Sequence, residues 1–294
     1  MTGRPLHILF TPSIREGLWA EVIRETAEAK GLSVAYWGEG EADVLIAHNL
    51  SIEMVVQVEP REWVIMADTP AASLISYGDA YKEYPPAGQA LAAASHRFAS
   101  AAWLAERGAP VLGQPAMAVS LPKLGLVSQR QFDMPANEAG PLEPALAIYQ
   151  GLPIRVGAKS VLPPVCFAFP ANRQADGGPS RIDLTGRDRL LMDGPYMLLP
   201  PGLWRATLKM AIDPHGHEAP LAFDWGEAHD MVTVEETVTE PGYYSVSLDR
   251  IFETAGTAVL RISLTQPLFQ GMLEVQECVI ERLGDPAPKL PLKV

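Results

Sequence analysis

The chain has 294 residues, 48% hydrophobic and 20% charged, with 23 Lys and Arg against 35 Asp and Glu for a formal net charge of −12. This balance is ordinary for globular proteins and excludes a disordered or fibrous chain; the acidic excess, without a dense Lys/Arg cluster, excludes a phosphate-tracking nucleic-acid surface. No apolar run approaches the roughly 18 to 20 residues of a spanning helix, so membrane insertion is not expected.

The length predicts two domains. The opening stretch "MTGRPLHILFTP" enters an apolar run too short for a signal h-region, which predicts a chain that is cytoplasmic on synthesis. "HILFTP" at 7–12 reads as a buried strand, and Ser13 with Glu16 has capping-box spacing for a helix carrying Trp19, Val22, Ile23 and Ala27 up to Gly31. "SVAYW" (33–37), "DVLIAHN" (43–49) and "EWVIMAD" (62–68) are short apolar runs of the kind found in parallel sheets covered on both faces. A helix over 87–107 with Leu91, Phe98 and Leu104 on one side stops at Gly108, and "PVLG" supplies a last strand. Residues 1–120 thus predict a Rossmann-like open parallel sheet of about five strands. Residues 121–149, with Pro122, Pro135, Pro141 and Pro144, read as a proline-containing linker.

From about residue 150 to 294 the period changes to two. In "LWRATLKMAI" (203–212), Trp204, Ala206, Leu208, Met210 and Ile212 share one face, and Arg205, Thr207 and Lys209 the other. "YYSVSL", "AVLRISL" and "MLEVQECVIE" alternate likewise, leaving Tyr243, Ser245, Arg261, Ser263, Glu274 and Gln276 outward. Short alternating strands between Gly/Pro/Asp turns predict an all-β domain, an antiparallel sandwich or jelly roll.

In an open α/β sheet, ligands sit beyond the carboxyl ends of the strands, which singles out Ser13, Arg15, His48, Asn49, Ser51, Asp68 and Thr69. The same residue types cap helices, and no glycine fingerprint follows the first strand to cradle a pyrophosphate. In "DPHGHEAP" (213–220), His215, His217 and Glu218 invite a metal, yet Pro and Gly mark a solvated hairpin turn. A calcium site from Asp213, Asp224, Glu227 and Asp230 lacks any ligand spacing. Neither a metal nor a cofactor is expected. Cys166 and Cys278, the only cysteines, are too few for a disulfide framework, and the apolar setting of "PPVCFAF" predicts an inert Cys166 thiol. Whether the two pair is left open.

The outward face of the β domain offers hydrogen-bonding groups and aromatic faces of the kind that match sugars, and its Arg and Lys suit an acidic polysaccharide. A polar outward face is also what any exposed sheet presents. The expected ligand-binding set is Tyr196, Arg205, Thr207, Lys209, Trp225, Tyr243, Arg261 and Gln276, with Asp193, Tyr196, Trp225 and His229 read as turn-borne residues at one end. Trp225 shares parity with Leu221 and Phe223, so the core is its other expected place.

The run "IDLTGRDRLLMDGPYMLLPPGLWRATLKMAID", followed by "FDWG", "PGYYSVSL", "AVLRISL" and "FQGMLEVQECVIERL", resembles carbohydrate-binding-module-like jelly-roll domains attached to bacterial glycosyltransferases and polysaccharide-associated proteins. The resemblance spans about residues 180 to 283 and implies glycan binding without chemistry. The first domain resembles half of a GT-B glycosyltransferase, but nothing between residues 121 and 290 supplies the half that carries the sugar-nucleotide site. The expectation is therefore a non-catalytic binder of bacterial surface or capsular polysaccharide, serving as a spike or adhesin of a phage-like particle. Its α/β domain docks to a protein partner or forms a homo-oligomer. The alternative is a glycosyltransferase-like enzyme with a sugar-nucleotide site at Ser13, Arg15, His48 and Asp68.

Overall fold

The computed structural model describes residues 4–48, 50–55, 57–70, 72–73, 87–129, 140–170 and 180–285; Asn49 and Pro135 lie outside them. The chain divides into two compact units, one within Met1–Pro85, Ala93–Glu143 and Tyr149–Ile154, the other within Pro86–Ala92, Pro144–Ile148 and Arg155–Val294.

The first unit is built on β1 (Leu6–Phe10), β2 (Val34–Tyr36), β3 (Val44–Ala47), β4 (Trp63–Ala67) and β5 (Val111–Gly113). They form one parallel sheet in the order β2-β3-β1-β4-β5. All five β1 residues are buried, as a strand covered on both faces requires. One face packs Ile8, Phe10 and Ile46 against Trp19, Ile23 and Ala27 of α1 (Glu16–Glu28). The other packs Leu9, Trp63 and Ile65 against Ala101 and Leu104 of α3 (Ala87–Glu106); the short α2 (Ile52–Val55) adds Val55. The sheet is Rossmann-like in its parallel pairing but not in its order, because β2 and β3 are consecutive neighbours joined without a helix. Gly38 (φ +91) and Gly40 (φ +147) take backbone angles there that other residues rarely adopt. Within the stretch read as linker, β6 (Ala118–Leu121) and β7 (Gly125–Ser128) make a hairpin. Its Val119, Leu121 and Val127 join the α1 side of the core.

The capping box does not form, because α1 starts at Glu16 with Arg15 at its N-cap and no side-chain cap. Ser13 Oγ accepts from the Arg15 amide at 3.0 Å, but the Glu16 carboxylate turns to His48 and Arg97 instead of back to the helix start.

The second unit holds two antiparallel sheets. One has the order β10 (Arg189–Leu199), β15 (Gly256–Leu264), β12 (Ala219–Glu227), β13 (Asp230–Val238). The other has the order β14 (Gly242–Phe252), β11 (Gly202–Asp213), β16 (Met272–Gly284), β8 (Lys159–Leu162), with β9 (Ser180–Asp183) also pairing β16. Alternation sets the interior: Trp204, Ala206, Leu208, Met210 and Ile212 of β11 are buried, as are Leu260, Ile262 and Leu264 of β15. Trp204 is fully buried and donates from Nε1 to the Pro200 carbonyl at 3.0 Å, so it belongs to the core. This is a β-sandwich by strand order and burial. Among the described residues no helix is long and apolar enough to cross a membrane.

Candidate functional site

On the outer face of the β14-β11-β16 sheet, register sets four side chains in a row. Ala211 pairs with both Tyr243 and Glu274, and Glu274 pairs with Arg181. Directly opposed residues of antiparallel strands share a face, so the phenol ring and the Glu274–Arg181 pair stand up on either side of an alanine floor. Tyr243 and Glu274 lie two strands apart, about 10 Å at ordinary strand spacing, which leaves a gap for one ring-sized ligand. The result is a hollow of about 370 Å³, also lined by Asp213, His215 and Met272, a volume within the usual range for small-molecule sites.

Each wall is held in place locally. Arg181 Nε donates to Glu274 Oε2 at 2.9 Å across the β9–β16 pairing. Asp213 Oδ1 accepts from the His215 amide at 2.8 Å, an Asx turn that holds His215 at φ +51 and brings its ring to the edge. Tyr243 remains 83% exposed on the edge strand β14. The hollow thus combines a flat aromatic face, carboxylate acceptors and a guanidinium donor, the groups that match the C–H face and the hydroxyls of a polyol.

Arg205, Thr207 and Lys209 point outward as their parity predicts, but they are engaged along the sheet. Arg205 makes a bidentate pair with Asp249 at 2.6 and 2.7 Å, Lys209 reaches Glu277 at 2.7 Å, and Thr207 meets Ser247 at 3.0 Å. Hydrogen bonds from Arg205 hold the Asp249 carboxyl below the usual carboxylate range. Gln276 is exposed at a β-bulge, and Glu277 takes the place opposite Lys209.

Tyr196 and Arg261 lie on the other sheet. Arg261 Nε donates to Asp193 Oδ1 at 2.9 Å, and the Tyr196 hydroxyl donates to the same carboxylate. Burial, with the Asp193 charge beside it, pushes the Tyr196 phenol above its ordinary pKa. Asp193 and Tyr196 are strand residues of β10 and not turn residues; Tyr196 sits at φ +60 where the register shifts. Trp225 also departs from the turn expectation. It is an interior residue of β12, 0% exposed and edge-on to Phe252 at 6.0 Å, as its parity with Leu221 and Phe223 requires. It cannot meet a ligand on the surface. His229 is exposed between β12 and β13.

Among the described residues no group of three or more His, Cys, Asp or Glu side chains is placed to hold a metal. Cys166 and Cys278 are both buried free thiols; burial pushes Cys166 up to about 12 and raises Cys278 as well.

The crevice residues of the first unit do come together. The connections after β1 and β4 lead to opposite edges of the sheet, so the crevice lies between those strand ends. There Asp68 accepts from Ser13 Oγ, from Arg15 at 2.7 and 3.1 Å and from the Thr69 amide at 2.7 Å. His48 Nδ1 meets Glu16, whose carboxylate also accepts from Arg97 at 3.0 Å. The charged groups are turned on one another, and the helix start presents Glu16 where a pyrophosphate would need donors.

Nothing in the sequence singles out the hollow's Arg181 and Met272, and Asp213 and His215 stand out in it only as candidate metal ligands. The one legible signal was Ala211, a small residue ending the outward polar series Arg205, Thr207, Lys209.

No protein-family model matches the chain, and no curated protein matches it. Solved structures that align with it include several carbohydrate-binding modules. TmCBM61 in complex with β-1,4-galactotriose is 14% identical at a TM-score of 0.28, over 42% of this chain and 81% of that one. The CBM22-1 xylan-binding domain of Xyn10C from Paenibacillus barcinonensis is 13% identical at 0.31, over 44% and 97%. The CBM36-1 domain of a multidomain xylanase from the hindgut metagenome of Trinervitermes trinervoides is 13% identical at 0.27, over 43% and 98%. At such TM-scores these matches add nothing to the architecture, which rests on the strand order and register of the protein itself.

Proposed function

We propose that the β-sandwich unit binds a glycan without catalysis, through the hollow beside Tyr243. The observation that carries this reading is the row Tyr243–Ala211–Glu274–Arg181, an aromatic plate facing a fixed ion pair across a small floor. An exposed ring on a rigid strand offers stacking area at little cost in conformational entropy, and the ion pair supplies oriented partners for hydroxyls. The finer form of the proposal is a bacterial surface or capsular polysaccharide as ligand, with the protein displayed as a spike or adhesin on a phage-like particle and the α/β unit serving docking or assembly. Many copies would then turn weak single contacts into avidity.

The test uses the full chain on a glycan array that includes xylan, β-1,4-galacto-oligosaccharides and capsular polysaccharides, together with whole-cell binding. Retention that Tyr243→Ala abolishes and Trp225→Phe leaves unchanged supports the reading. Absence of retention on every glycan and cell tested sinks it, and retention indifferent to Tyr243→Ala moves the site elsewhere.

A further inference from the structure

The edges of the sheets are guarded unequally. An edge strand presents unpaired N–H and C=O groups, and proteins keep such edges from pairing by making them short, charged, bulged or interrupted by proline. Among the described residues, β2 and β5 to β9 run only three or four residues each. The β10 edge holds Pro195 and two register shifts, and the β13 edge exposes Asp230, Glu235 and Glu236. The β14 edge is long and has none of these devices over most of its length. Gly242 to Leu248 carry no charge and no proline, and all eleven residues of the strand pair with β11 without a shift in register. Asp249 and Arg250 follow, each already engaged, with Arg205 and Asp230 respectively.

The side chains of β14 are also left open. Tyr244 and Val246 face inward yet are only half-buried, whereas Met210 and Leu208, their partners on β11, are fully buried. On the outer face the large apolar exposures fall at the two ends of the strand, Tyr243 at 83% and Ile251 at 44%, with Ser245, Ser247 and Asp249 exposed between them. The strand is thus complementary to itself about Ser247. An antiparallel copy related by a two-fold axis through Ser247, perpendicular to the sheet, sets Tyr243 against the partner's Ile251 and Ser245 against the partner's Asp249 on the outer face. On the inner face it sets Val246 against the partner's Leu248 and Tyr244 against the partner's Arg250, a cation–π pairing. No like charges meet. Moving the axis one residue either way leaves Ile251 opposite Pro241 or Tyr243 opposite Glu253, and the apolar ends no longer match.

We propose that two copies of this chain associate through β14, paired antiparallel about Ser247, so that the β8-β16-β11-β14 sheet continues into the same strands of the partner in reverse order. The same patch then serves both subunits, the isologous contact of a two-fold dimer. An antiparallel ladder over eleven residues supplies about ten hydrogen bonds, as many as a typical specific interface carries. The contact is made by the sandwich unit alone and does not rest on the glycan reading. Each Tyr243 ring gains the partner's Ile251 beside it, and the two hollows come to lie on one continuous sheet.

The test places charges on the axis, where Ser247 faces its own copy. The full chain is followed by sedimentation velocity at about 100 μM, a concentration that populates a weak dimer. The wild type should sediment as a dimer. Ser247→Lys and Ser247→Glu should each weaken association by about tenfold or more, because like charges then stand directly opposed, and the two variants mixed in equal amounts should recover the dimer. Ser247 is exposed, so both variants should melt as the wild type does. A second measurement is independent of charge. Ser247→Cys should form an intermolecular disulfide on mild oxidation, and Ser245→Cys, which faces Asp249, should do so about tenfold more slowly or worse; the native Cys166 and Cys278 are buried. A monomeric wild type, undiminished association of Ser247→Lys and Ser247→Glu, no recovery on mixing them, or equal crosslinking from positions 245 and 247 would each overturn the proposal.

Discussion

The crevice beyond β1 and β4 and the hollow beside Tyr243 draw on the same chemical stock, guanidinium, carboxylate, imidazole and aromatic ring, and deploy it in opposite ways. In the crevice, Asp68 is wholly buried and accepts from Ser13, Arg15 and the Thr69 amide. Its polar capacity is consumed inside the protein. At the hollow, Tyr243 is left in water, and the ion pair across from it is exposed on its Arg181 side. The difference follows from topology. Two strand ends tied by loops must satisfy buried polar groups locally, whereas the outer face of a sandwich sheet can leave them to solvent and hence to a ligand. Crevice changes should therefore hurt folding, and hollow changes should hurt binding.

The largest effect tests the boundary between wall and surface. Trp225→Ala removes a fully buried ring from β12 and should cost about 3–5 kcal/mol in urea unfolding. A cost under about 1 kcal/mol would mean the ring is not core. Next comes Asp68→Asn, which keeps the shape but withdraws the charge that Arg15 faces; it should destabilise by about 1–3 kcal/mol. If it is neutral, the crevice is not held by its own ion pair, and the contrast with the hollow fails.

A smaller effect is expected in acid. His7 is buried, stacked on Trp63 at 4.8 Å, and burial lowers its pKa below 6.5. With the native pKa depressed, the unfolded chain binds more protons as pH falls below the unfolded value of about 6.5. Stability is thus fully present above that pH and declines as pH drops through the folded pKa. His7→Phe should flatten that part of the curve without abolishing it, since His96 is lowered by burial in the same sense. An unchanged slope in urea midpoints across this range would rule out His7 as a contributor.

Several parts of this arrangement were legible in the sequence because they depend on local period alone. Continuous apolar runs such as "HILF" gave parallel strands, and the parity of Trp204 placed it inside. Trp225 carries the same parity signal, which places it in the core and not among the turn-borne residues at one end. What local period cannot reveal is which distant residues become neighbours. Arg181 and Glu274 are 93 positions apart and meet only because β9 pairs β16 in a particular register. Likewise the bulge at Gln276 decides that Glu277 reaches Lys209, and Arg205 finds Asp249 only through the β11–β14 pairing. The free outward cations expected of Arg205 and Lys209 are thereby paired ones.

The smallest expected effect on stability is the one that bears most directly on function. Tyr243→Ala should change unfolding by no more than about 0.5 kcal/mol, because an exposed ring gives up little buried area. Arg181→Ala should do the same, since exposed ion pairs contribute little. Both are measured by the same urea titration as Trp225→Ala, beside glycan retention. Removing Arg181 also frees Glu274 to rotate, so its variant should weaken retention even though the aromatic plate stays. A destabilisation by Tyr243→Ala comparable with that of Asp68→Asn would show that the ring supports the sheet. The hollow would then resemble the crevice, a site closed on itself, and the division between a self-satisfied α/β unit and an outward-facing sandwich would no longer hold.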